Sequence, residues 1–133
     1  PFAVAAKHLF PDKKILIING DGSFGLNGFE FDTALRFDLP VVSIVGNDSG
    51  WGQIRTPQLG MVAEERAIAT RLAPTRYDRI VEAMGGYGEH VEHPDDLPAA
   101  IERAFASGKP ACIDVALDPR GMSKTGASTP YIV

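Results

Sequence analysis

The chain has 133 residues, a formal net charge of −4, and a composition that is 44% hydrophobic and 23% charged. A single domain of this size buries roughly two-thirds of its unfolded surface, and the interspersed charges leave no Lys/Arg cluster for nucleic acid or an anionic membrane. No apolar run is long enough to span a bilayer, no signal-peptide pattern opens the chain, and the lone Cys112 excludes an intrachain disulfide framework. The expected setting is the cytoplasm.

The chain opens at Pro1-Phe2 without a Met, inside an apparent helix that runs to Leu9 and stops before Pro11. That start is expected of a fragment of a longer polypeptide. Lys14 to Asn19 is a continuous apolar strand of the kind buried on both faces of a parallel sheet. Leu26 to Phe37 predicts a helix, with Leu26, Phe29, Phe31, Ala34, Leu35 and Phe37 forming a broad apolar surface. Pro40 ends the connection, and Val41 to Val45 is the next strand.

Residues 50–75 contain Gly50, Gly52, Pro57, Gly60 and Pro74, and read as a long irregular segment with a helical turn near Ala63 to Ala69. Such segments in compact domains are functional or mobile. Tyr77 to Met84 predicts a helix ended by Gly85-Gly86, and Glu89 to Glu92 a strand. Pro94-Asp95-Asp96 opens a helix through Phe105, capped by Gly108, with proline at the start and glycine after the end. Pro110 to Leu117 is the last strand, and its Cys112 reads as a small core residue.

This alternation predicts an α/β domain over 1–117: a three-layer fold with an open, mainly parallel sheet and helices on both faces. Residues 118–133 are polar and Gly/Ser/Thr-rich, and read as a tail. Right-handed crossovers place the Gly20–Ser23 and Gly46–Gly50 loops on one edge of the sheet.

Those two loops carry the chemistry. Each follows an apolar strand and holds a carboxylate, and Asp21 and Asp48 are 27 positions apart. Ligands of open parallel sheets bind beyond the carboxyl ends of adjacent strands. The glycines of Gly20-Asp21-Gly22-Ser23 let backbone come close to a ligand, and the amides of Gly22, Ser23 and Phe24, ahead of the next helix, favour a phosphate. Asp21, Asp48 and the Gly50 carbonyl are hard donors suited to Mg²⁺, which binds one or two carboxylates together with phosphate oxygens and water. Each loop alone is an ordinary turn; the pair within one βαβ unit is the informative feature.

Gly20-Asp21-Gly22-Ser23-Phe24-Gly25, Gly28-Phe29-Glu30, Arg36-Phe37-Asp38-Leu39-Pro40 and Val45-Gly46-Asn47-Asp48 together mark a family. From about Pro1 to Leu117 the chain resembles the C-terminal, diphosphate-binding domain of thiamine diphosphate-dependent decarboxylases and carboligases. Within them it is most similar to the acetolactate synthase and 2-hydroxyacyl-CoA lyase (oxalyl-CoA decarboxylase) branch. The resemblance implies thiamine diphosphate and Mg²⁺ as cofactors, with Asp21, Asp48 and the Gly50 carbonyl on the metal and Gly22 and Ser23 on the diphosphate. It also makes Glu30 a structural support. Gly20 and Gly52 are counted with the cofactor-binding residues, and Trp51, just after the second loop, reads either as packing beside the cofactor or substrate or as a plain core or interface residue. One departure is Asp48: the family usually has Asn-Asn at positions 47–48, and a second carboxylate makes the site more negative.

The resemblance further implies a lyase or carboligase that cleaves or forms C–C bonds next to a carbonyl, acting on a 2-oxo acid or an acyl-CoA. The activating glutamate belongs to an N-terminal domain of a neighbouring subunit. No catalytic residue is therefore assigned here, the isolated segment is expected to be inactive, and the complete enzyme a homodimer or homotetramer. In the lyase branch a C-terminal segment closes over the site, so Met122 to Val133 reads either as the start of a lid or as an unstructured terminus. Among the remaining polar residues, His8, His90 and His93 lack metal-ligand spacing and His90 and His93 read as surface residues. Arg55 reads as solvated, with an anionic substrate group as its alternative partner. Two competing functions stand beside the enzyme: a non-catalytic α/β binding or oligomerisation module that has lost the cofactor, favoured only by Asp48, and a phosphotransfer domain of receiver type. The second is disfavoured because no suitably placed Lys or Ser/Thr follows a later strand.

Overall fold

The structure, a computed structural model, describes residues 1–119. Four strands, β1 (Ile15–Gly20), β2 (Val41–Asn47), β3 (Tyr87–Val91) and β4 (Ala111–Ala116), form one sheet in the order β1-β2-β4-β3, and all neighbours are parallel. The β-branched residues of β2 and β4 suit a strand covered on both faces, and the core residues Val42, Val45 and Ile113 are buried. The predicted three-layer α/β fold is the observed one.

One face carries α1 (Phe2–Leu9), α2 (Asp21–Asn27), α3 (Glu30–Arg36) and α5 (Tyr77–Ala83). Phe24, Phe31, Tyr77 and Val81 pack there on Val45 and Cys112, and the Phe24 ring meets Tyr77 edge-on at 5.1 Å. The opposite face is covered by α6 (Leu97–Ala106), whose Ala100 and Ala104 sit on Val42, Ile44, Val91 and Ile113. Ile113 has no exposed surface, so Ile113→Ala is expected to cost about 3–4 kcal/mol, read as a lowered unfolding midpoint. Cys112 is fully buried as expected, and burial pushes its thiol well above the usual range.

The structure corrects the sequence reading in three places. First, β1 is an outer strand: Ile15, Ile17 and Asn19 face the α1–α3 layer, whereas Leu16 and Ile18 face away and are 39% and 73% exposed. Among the described residues α6 is the helix on that face, and it lies over β2, β4 and β3. Second, the helix expected over Leu26 to Phe37 is two helices, and the first begins at Asp21 itself, capped by an extended Gly20. The chain turns tightly between them at Gly28, where a side chain would enter the Phe24 ring. Third, residues 50–75 contain α4 (Gly52–Met61) where an irregular segment was expected, while the helical turn expected near Ala63 to Ala69 is present as a 3₁₀ turn at Glu64–Arg66. Of the 118–133 tail, residues 120–133, including the lid reading of Met122 to Val133, lie outside the described residues.

Candidate functional site

Gly20 pairs with Gly46 in the β1–β2 register, so the two strands end side by side and both carboxylate loops leave the same edge of the sheet. Asp21 begins α2 and is 2% exposed. Its Oδ1 accepts the Gly22 amide at 2.7 Å, and its Oδ2 accepts the Gly50 amide from the second loop at 3.0 Å. The first loop is thus tied directly to the second. The Gly22 amide, assigned from sequence to a phosphate, is the one that Asp21 takes here, while Ser23 is exposed on the next position of the helix.

Trp51 supplies a second tie. A β-carbon at Gly22 would lie 3.0 Å from the Trp51 ring, so the indole rests against the glycine backbone of the first loop. Gly22→Val, with two γ-carbons at that position, is expected to displace the indole and change its fluorescence. Gly52 has an equally specific role: a β-carbon there would stand 2.5 Å from Asp48 Oδ2. The missing side chain is what leaves room for the Asp48 carboxylate.

Asp21 and Asp48 form no ion pair among the described residues. Burial, then the negative charge of Asp21, hold the Asp48 carboxyl above the usual carboxylate range, with the Gly50 and Asp48 amides pulling the other way. An acid raised in this way costs stability when ionised; the cost is absent below its ordinary pKa and full above the raised one. Asp48→Asn is therefore expected to raise the unfolding midpoint of metal-free protein at neutral pH, a gain that fades as the solution is acidified through the carboxylate range. Beside Asp48 lies a cleft of about 210 Å³, lined also by Ser49, Gly50, Gly52 and Leu72.

The segment from α4 to Leu72 walls this cleft and is held by polar contacts that the sequence reading missed. Arg55 is 15% exposed in its side chain and bonds Glu64 at 3.0 Å, the Ala67 carbonyl and Thr70. It is not solvated, and it lines the cleft beside Asp48. Arg71 meets the same Glu64 at 2.7 Å, and the Trp51 amide donates to the Thr70 carbonyl while the Leu72 amide donates to Ser49. His90 is half-buried rather than a free surface residue: its Nδ1 lies 3.1 Å from the buried Asp114, and its Nε2 faces Glu92. The signal for Asp114 was present, a lone carboxylate inside the apolar strand Ala111–Ala116.

Residues 1–115 match the family model described as "Thiamine pyrophosphate enzyme, C-terminal TPP binding domain". The chain belongs to this family. A "Probable acetolactate synthase" of Mycobacterium bovis is 43% identical over 119 residues, covering 89% of this chain and 21% of the relative. A "2-hydroxyacyl-CoA lyase" of Oryza sativa subsp. japonica is 36% identical over 129 residues, covering 94% and 22%. A "2-hydroxyacyl-CoA lyase 2" of Caenorhabditis elegans is 43% identical over 107 residues, covering 79% and 16%. The chain spans about a fifth of the length of these relatives. As a thiamine pyrophosphate-binding domain it matches the recognised resemblance in both branches that the sequence named. No helix of the described residues is long and apolar enough to cross a membrane.

Proposed function

We propose that this chain is the metal- and diphosphate-binding part of a thiamine diphosphate- and Mg²⁺-dependent enzyme that makes or breaks a C–C bond beside a carbonyl. The observation that carries the reading is the convergence of Asp21 and Asp48, two carboxylates with no ion-pair partner among the described residues, on the same edge of the sheet, with Asp48 lining a cleft whose wall also carries Arg55 and Arg71. Two such charges in a half-buried setting suit a divalent cation. In this reading Asp21, Asp48 and the Gly50 carbonyl hold Mg²⁺. Gly20, Gly22 and Ser23 adjoin the diphosphate, and Trp51 and Gly52 line the neighbouring cofactor surface. Residues 1–117 form the domain and 118–133 the tail or lid.

When bound, thiamine diphosphate supplies the carbanion chemistry of the reaction. This chain's residues bind and orient it: Asp21 ties the two loops, Gly52 leaves space for Asp48, and Trp51 closes the side of the first loop. The activating glutamate is assigned to another domain of a neighbouring subunit, so the complete enzyme is a homodimer or homotetramer. The substrate is a 2-oxo acid or a 2-hydroxyacyl-CoA, in keeping with the names of the relatives. The setting is cytoplasmic, and neither nucleic acid nor membrane is a partner. A cofactor-free binding module is the second reading, supported by the like charges of Asp21 and Asp48.

Incubation of the complete polypeptide with 2-oxo acids and with 2-hydroxyacyl-CoAs, with and without Mg²⁺ and thiamine diphosphate, tests this. Turnover of one class that requires both additions supports the enzyme; full turnover without them rejects it. Gly52→Ala is expected to push Asp48 aside and weaken cofactor binding about tenfold, measured by equilibrium dialysis.

A further inference from the structure

Asn47, the last residue of β2, spends one side-chain amide on three partners. Its Nδ2 donates to Asp114 Oδ1 at 2.9 Å and to the Thr75 carbonyl at 2.8 Å, and its Oδ1 accepts the Ser49 amide at 3.2 Å. Only an amide satisfies that set, because two donors must face oxygens while an acceptor faces an N–H. Ser49 holds φ at +55°, a left-handed conformation that costs a non-glycine residue energy and needs support. From there the chain delivers the Gly50 amide to Asp21. The course of the Asp48–Gly50 loop is thus held from beneath by Asn47.

Asp114 is fully buried on β4. Its other oxygen faces His90 Nδ1 at 3.1 Å, with Arg76 Nε at 3.7 Å. Arg76 in turn grips the buried Asp78 with two bonds, at 2.8 and 2.7 Å. Burial opposes ionisation of Asp78, yet this fork holds its carboxyl below the usual range. Ligand-type atoms of Asp78, His90 and Asp114 lie within 4.8 Å of one another. They do not form a metal site, because the guanidinium of Arg76 already supplies the cation and no buried side-chain polar atom among the described residues lacks a partner. Arg79 and Glu92 flank the network from outside, and Asn47 is the member that links it to the loop.

We propose that Asp114 and Asn47 are positioning residues, a buried brace that sets the Asp48–Gly50 loop for the metal. The proposal rests on the metal-site reading above. Mg²⁺ demands near-ideal octahedral geometry, so a loop that relaxes at Ser49 loses both the Asp48 carboxylate and the Gly50 carbonyl from their places.

The test uses the complete polypeptide. It reads thiamine diphosphate affinity by calorimetry at saturating Mg²⁺, together with the unfolding midpoint in chelator. Asn47→Ala weakens affinity about tenfold or more, the range for losing a group that orients a metal ligand. Asp78→Asn disrupts the same network without touching Asn47; it lowers the unfolding midpoint and leaves the affinity unchanged. Should Asn47→Ala not fold, an exchange takes its place. Asn47→Asp sets a second carboxylate against Asp114 and weakens binding, and adding Asp114→Asn returns a donor to that gap and recovers part of the loss. A folded Asn47→Ala variant of unchanged affinity, an Asp78→Asn variant weakened equally, or an exchange without recovery overturns the brace. Absence of metal-dependent binding in the unsubstituted protein instead overturns the metal-site reading, and the brace's role with it.

Discussion

Asp21→Ala is expected to abolish Mg²⁺-dependent binding of thiamine diphosphate by the complete polypeptide. The side chain has two tasks. As the proposed metal ligand it supplies a hard oxygen, and its loss should exceed the roughly 10–100-fold effect of removing a group behind a ligand. As an acceptor it holds the Gly22 and Gly50 amides, at 2.7 and 3.0 Å, and so joins the two loops. A buried amide left without its acceptor costs about 1–3 kcal/mol. Asp21→Asn removes the negative charge but keeps only one of the two acceptor oxygens, so one amide faces the new Nδ2 donor and a smaller loss of the loop tie accompanies the loss of charge. Equilibrium dialysis at saturating Mg²⁺ reads both variants. Affinity in Asp21→Ala equal to that of the unsubstituted protein would remove Asp21 from the metal site.

Gly88→Ala is expected to be the most damaging single-methyl change in the sheet. Gly88 lies on β3, paired with Cys112, directly beneath α5. A β-carbon there would stand 2.6 Å from Glu82 Cγ and closer still to the Asp78 carbonyl. The Glu82 side chain can swing aside but the Asp78 backbone carbonyl cannot, so α5 must lift from the sheet at a cost of about 3 kcal/mol, the upper end of overpacking. Tyr77, Val81 and Cys112 share the core cluster under that helix. Lifting α5 therefore exposes Cys112, and thiol labelling read by peptide mass should rise from protected to modified. Continued protection of Cys112 in the variant would show that the helix accommodates the methyl.

The alternation of apolar strands with helical segments was enough to read the layers, because a parallel sheet covered on both faces leaves a run such as Val41 to Val45 with no polar face. Helix limits were less legible. Gly20-Asp21-Gly22-Ser23 reads as a loop by composition, yet Asp21 and Gly22 already lie in α2, since tertiary contacts with Gly50 and Trp51 outweigh glycine's poor helix propensity. The same holds for α4, where Gly52, Pro57 and Gly60 argue against a helix that its Arg55 ties to Glu64 and Thr70 outside it. At the site, Asp21 and Asp48 were visible through spacing relative to strand ends. The brace was not: Asn47, His90 and Asp114 are distant in sequence and are brought to one face by the register of β2, β4 and β3, where Asp78 reaches them from α5 through Arg76.

Calorimetric titration of thiamine diphosphate into the complete polypeptide, first with Mg²⁺ and then with a chelator, tests the central claim most directly. Saturable binding near one cofactor per chain that disappears with the metal is the predicted result. Absence of binding in both conditions, or equal binding with the metal removed, would contradict the assignment of Asp21 and Asp48 to a cation that carries the diphosphate.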